Sequence, residues 1–161
     1  MFDPTTLTGI HTWISLFAIA AGIPALAGLI RGEAPTLWQG LFLILAFLTS
    51  ATGFLFPFNG ILPSHVVGAV ALLVLVPAAY AWIGPHLAGR WHSIYAGTVV
   101  ASLYFLVFVA VAQAFAKIPA LKAAAPTQSE PPFAVAQGVV LLVFVVLGVV
   151  AVRGRAATRR A

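Results

Sequence analysis

The chain has 161 residues, 62% of them hydrophobic and 7% charged, with a formal net charge of +5 and no cysteine. So few charges, against about 25% in an ordinary soluble domain, exclude a water-soluble globule of this length and point to a polytopic membrane protein. The missing cysteines exclude disulfides, thiolate chemistry and Cys-based metal or iron–sulfur sites. The arginines stand at the ends of apolar runs, as topology signals do, so the positive charge does not predict a nucleic-acid partner.

In chain order, a short lead with Asp3 precedes run one, Thr8 to Ile30, long enough to cross a bilayer. Ala25-Leu26-Ala27 imitates a signal-peptide cleavage site, but the lead has no basic residue and the run is too long, so it is read as a span. Arg31-Gly32-Glu33-Ala34-Pro35 forms a loop before run two, Thr36 to Phe58. Asn59-Gly60 supplies a tight reversal, and Pro63 suits the first position of the next helix. Run three extends from Ile61 to Ile83, and Gly84 to Trp91 is a basic loop with His86 and Arg90, bordered by His92. Run four is His92 to Ala116. Lys117 to Pro132 is the longest connection, its first part suited to lie along the interface, and run five is Phe133 to Val152. The expected fold is all-α: a single transmembrane domain of five helices, ending in the basic tail Arg153 to Arg160.

Arg31, Arg90, Arg153, Arg155, Arg159 and Arg160 lie on one side of that arrangement, and only Lys117 and Lys122 on the other. Six against two puts the C-terminus in the cytoplasm and the N-terminus outside. Trp38, Tyr80, Trp82, Trp91 and Tyr95 read as an aromatic belt at the cytoplasmic boundary. Pro24 and Pro77 interrupt runs one and three near mid-depth, as kinks do in membrane spans.

On a 3.6-residue helix each run carries a stripe of polar or small residues. These are Thr8/His11/Ser15/Ala18/Gly22, Gln39/Phe42/Ala46/Thr49/Gly53, Ser64/His65/Gly68, Thr98/Ser102/Phe105/Val109/Gln113 and Glu130/Ala134/Gln137/Leu141/Phe144/Gly148. Small residues at helix seams account for the glycines and alanines, and hydroxyls can bond to their own i−4 carbonyls. Histidine and glutamine are not satisfied that way. His11, His65 and Gln113 fall within roughly one helical turn of one another along the membrane normal, at ~1.5 Å per residue, with Gln137 slightly deeper. They predict an outward-facing ligand pocket of His11, Ser15, Thr49, Thr52, Ser64, His65, Gln113 and Gln137.

Two histidines on facing helices also match axial ligation of haem b, with Gly22, Gly53 and Gly68 as clearances for the ring, or a quinone site. A divalent metal would want a third ligand, and no Asp or Glu lies inside a run. The same lack leaves no buried acid to orient a Ser–His pair, and no ionisable group at mid-depth for a conduction path. The stretches Ala51 to Phe58, Leu62-Pro63-Ser64-His65, Gln113 to Leu121 and Ala125 to Phe133 resemble small multi-pass inner-membrane proteins of proteobacteria. That family has no assigned activity, so the resemblance implies a bacterial inner membrane and nothing about chemistry. The expected function is a non-catalytic module among membrane lipids, binding a membrane-protein partner or a lipid-soluble small molecule. The alternative is a redox protein using His11 and His65.

Overall fold

The computed structural model describes residues 3–33, 36–56, 63–84 and 87–158, with the side chains of 63, 64 and 155–158 left aside. The Asn59-Gly60 reversal, His86, the Ser64 side chain and the end of the basic tail fall outside that description. Among the described residues there is no strand. The helices are α1 (Leu7–Ile30), α2 (Leu37–Gly53), α3 (Pro63–Ile83), α4 (Trp91–Lys117), α5 (Pro119–Ala124) and α6 (Pro131–Thr158). α1, most of α3, α4 and most of α6 are long and apolar enough to cross a membrane, consistent with a helical membrane protein. α2, at 17 residues, is shorter.

Local chemistry explains the ends of α1. Thr6 caps its start, its hydroxyl accepting from the Gly9 N–H at 3.1 Å. At the other end Gly32 takes φ +68°, which lets its N–H reach Leu29 O and the Glu33 N–H reach Gly28 O at 3.0 Å. This is a Schellman closure, with glycine at the left-handed position where a Cβ would be penalised. α2 stops at Gly53, five residues before the expected end of its run, because Phe54 and Leu55 close tight turns onto Ala51 O and Thr52 O. The predicted interfacial stretch folds as α5, opened by Pro119 at a position that needs no N–H.

α4 is central: it packs against α1, α3 and α6 and touches α2, while α2 lies between α1 and α3. The seams are made of alanine, with Ala18, Ala21, Ala25, Ala78, Ala81 and Ala96 essentially inaccessible. Phe42, Leu29, Val99 and Leu103 fill the space between them. At Gly22 a Cβ would stand 2.5 Å from a Leu103 methyl and 3.1 Å from the Phe42 ring, so that glycine seats two core side chains. α6 runs along α4 and α1, and near its end the missing Cβ of Gly154 would lie 2.6 Å from Ile30 O. That contact brings Arg153 to the end of the bundle that carries Arg31.

Candidate functional site

The structure arranges the expected pocket residues differently from their helical phase. His11 on α1 reaches α2, its Nδ1 lying 2.9 Å from Thr52 Oγ1. The Thr52 hydroxyl directs its one proton to Leu48 O at 2.7 Å, with Thr49 O at 3.2 Å. It therefore accepts from His11, which fixes the proton on Nδ1. The imidazole stands edge-on to Phe56 at 5.3 Å between centroids. Ser15 turns back to its own helix, donating to His11 O at 2.7 Å. Thr49 is buried, and its hydroxyl has no partner among the described residues. His65 on α3 is half-buried, its ring tilted against Phe54 at 6.1 Å.

Gln137 is buried as expected, but its Nε2 donates across the α4–α6 seam to Phe108 O at 3.0 Å. Gln113 is exposed. Burial along α4 runs from His92 to Leu106 and beyond that includes only Phe115, so Gln113 lies past the point where the other helices enclose α4. The pocket of four converging side chains is corrected accordingly: His11 and Gln137 each tie a different pair of helices, and Gln113 joins neither.

A haem between His11 and His65 does not fit this packing. The three glycines expected to admit its ring are occupied: Gly22 by Leu103 and Phe42, Gly53 by the His11 ring at 3.7 Å, and Gly68 by the Phe54 ring at 3.4 Å. Phe54 and Phe56 lie against the two imidazoles, where a flat macrocycle would need an open slot. Two open grooves, of about 410 Å³ between α1 and α2 around Pro24 and Leu41 and of about 540 Å³ on α1 around Trp13, are lined by neither histidine. Comparison with protein-family models, curated proteins and solved structures finds no match. The site is therefore read from its own geometry.

The most enclosed polar groups lie at the opposite end, at the start of α2 and α4. Gln39 and Tyr95 are both fully buried, and the Tyr95 hydroxyl donates to Gln39 Oε1 at 3.3 Å. The Trp82 ring lies 5.7 Å from that of Tyr95. His92, one turn earlier, is 5% exposed. Two expectations change here: Tyr95 is a core residue and not part of an interfacial belt, and His92, expected at the border of a basic loop, belongs to the buried face of α4. The signal was present in the sequence, since His92, Tyr95, Val99, Ser102 and Leu106 follow one helical stripe. Above this cluster Arg31 and Glu33 form an exposed ion pair, with a second contact from Nη2 to Oε2 at 3.2 Å. The Arg31 hydrogen bond holds the Glu33 carboxyl below its ordinary value, against a smaller opposing effect of burial.

Proposed function

We propose that the chain is a five-span integral protein of a bacterial inner membrane, with its N-terminus outside and its C-terminus in the cytoplasm. In this reading it is a non-catalytic module, engaging a membrane-protein partner or a lipid-soluble small molecule. The observation that carries the reading is how the helices use their polar side chains. His11 with Thr52, Gln137 with Phe108 O and Tyr95 with Gln39 each join two helices, so these groups fix packing and none is turned toward a reacting centre. Val135, Val139, Leu142 and Val146 leave the outer face of α6 apolar and exposed, the face such a span turns to membrane lipid. The redox alternative through His11 and His65 is not taken up, because the packing leaves no slot for the ring.

α2 counts as the fifth span because it packs between α1 and α3. Its 17 residues rise about 26 Å, close to the ~30 Å of a hydrocarbon core. The absence of cysteine makes the topology directly testable. Lys122→Cys should react with a membrane-impermeant maleimide in intact cells, and Ala88→Cys only after permeabilisation; the reverse pattern overturns the orientation. Protein purified from haem-replete cells should show no Soret band. A band abolished by His11→Ala and by His65→Ala would replace this reading with the redox one.

A further inference from the structure

α2 begins Thr36-Leu37-Trp38-Gln39, an N-cap threonine with glutamine three positions later. That is the order of a capping box, in which the glutamine side chain turns back to the N-cap N–H. The box is not built. The Thr36 side chain makes no capping bond, and Gln39 turns into the bundle, where Tyr95 occupies its Oε1. This leaves Gln39 Nε2, with two N–H donors, and Thr36 Oγ1 buried and without an acceptor among the described residues. Buried donors are nearly always paired, so two within one turn mark a place made to receive something. No acidic residue stands in the first turn of α2 to offset the positive end of its dipole.

A second helix meets this place. The bare Cα of Gly28 on α1 faces it, and a Cβ there would lie 3.5 Å from Gln39 Nε2 and 3.2 Å from Glu33 Oε2. The amide donor and a carboxylate oxygen thus approach one point, while Arg31 holds that carboxylate through both of its oxygens. We propose that the start of α2 is an oxyanion site, in which Gln39 Nε2 and Thr36 Oγ1 take one oxygen of a carboxylate or phosphate. Tyr95 is its positioning residue, because by holding Oε1 it turns Nε2 toward the loop. The chemistry admits two sources: the carboxylate of Glu33, exchanged from Arg31, or a phosphate drawn in by the Arg31 guanidinium.

The test uses the full chain in detergent, with inorganic phosphate titrated at constant ionic strength and thermal unfolding as readout. If Glu33 is the ligand, the loss caused by Glu33→Gln falls to less than half in a Gln39→Leu or Thr36→Val background. Phosphate then binds Glu33→Gln at least tenfold more tightly than the parent, because its competitor is gone. If the source is external, phosphate stabilises the parent and Gln39→Leu or Thr36→Val weakens it at least tenfold, with Glu33→Gln unchanged. Nanodiscs with and without anionic phospholipid then separate a lipid phosphate from a free one. Thr36→Val guards against a folding defect in Gln39→Leu, since the side chain it alters caps nothing. Additive losses together with indifference to phosphate and to anionic lipid would overturn the site.

Discussion

At the Arg31 end of the bundle Gln39 and Tyr95 are completely enclosed and His92 nearly so; at the Lys117 end His11 and His65 are half-buried and Gln113 faces outward. The helices explain the difference. Ala25, Ala78, Ala81 and Ala96 let the backbones of α1, α3 and α4 close tightly around the first end. Burial on α1 runs from Ala18 to Leu29 with only Gly9 before it, and on α4 from His92 to Leu106 with only Phe115 after it. In the alanine-lined half Gln39 and Tyr95 are sealed in completely, whereas the other half covers Thr49 and Gln137 but leaves His11, His65 and Gln113 an exposed edge. The lesson is that depth along the membrane normal and enclosure by neighbours are separate properties, and only the first can be counted along a chain.

The largest effect should come from emptying the tight end. Tyr95→Ala removes a fully buried ring and orphans Gln39 Oε1, and should cost about 3–5 kcal/mol, the range for aromatic truncation in a core. Tyr104 offers the contrast, since its half-buried ring touches Phe105, Phe108 and Phe144 near the α4–α6 seam. Tyr104→Ala should cost clearly less in the same detergent-unfolding assay. Equal losses would mean that the two halves are packed alike.

α6 makes the same comparison within a single helix. At Gly154 an added Cβ meets Ile30 O at 2.6 Å and Leu29 O at 2.9 Å, backbone atoms that cannot rotate away. Gly154→Ala should therefore destabilise by about 1–3 kcal/mol, as overpacking does. At Gly138 an added Cβ meets nothing within 4 Å. Gly138→Ala should leave stability unchanged or raise it by about 0.5–1 kcal/mol through helix propensity alone. Unfolding of the two variants side by side checks this, and destabilisation by Gly138→Ala would show that its face is covered.

Much of this architecture is legible in the residues. Apolar runs of sufficient length mark the long helices, and the α2 stripe Gln39, Phe42, Ala46, Thr49 is buried as the 3.6-residue period requires. Phase was a poorer guide at the site. Gln113 continues the α4 stripe correctly, yet no helix covers it there, because coverage depends on where the neighbours end. Tyr95 and Trp82 sit at the ends of apolar runs, where an aromatic belt is the ordinary reading. The enclosure of Tyr95, with Trp82 half-buried against it, follows from α2 and α3 meeting α4 at that level, which periodicity within one helix does not encode. The departure of Gln39 from its capping box is likewise tertiary: Tyr95 competes for the same oxygen.

A smaller effect separates His11 from Gln113. The His11–Thr52 bond should appear as coupling in a His11→Ala/Thr52→Val cycle, at about the 0.6 kcal/mol average for hydrogen bonds between membrane helices. A His65→Ala/Gln113→Ala cycle should be additive, because Gln113 is exposed and has no side-chain partner among the described residues. Coupling in the second cycle and not in the first would restore a shared pocket at the Lys117 end.

The smallest effect concerns the connection that closes this end. Glu130 Oε1 accepts from the Thr127 N–H at 3.2 Å and the Thr127 hydroxyl at 2.9 Å, and Oε2 from the Ser129 N–H at 3.1 Å. Gln128, at φ +59°, ties the same turn to α4 by donating to Ala112 O at 2.7 Å. Burial pushes the Glu130 carboxyl up, but the hydrogen bonds from Thr127 and Ser129 outweigh it and hold the carboxyl below its ordinary value. A carboxyl lowered by folding stabilises the folded turn fully above its unfolded value of about 4.3. That contribution is lost as pH falls through the lower folded value. Hydrogen exchange at the Thr127 and Ser129 amides, corrected for intrinsic rates, should therefore lose protection only below about pH 4.3, with amides in the middle of α4 unchanged. Glu130→Gln removes the titrating group and should abolish the acid step while leaving some protection at neutral pH. An identical acid step in Glu130→Gln would mean that another titrating group, and not Glu130, closes the turn.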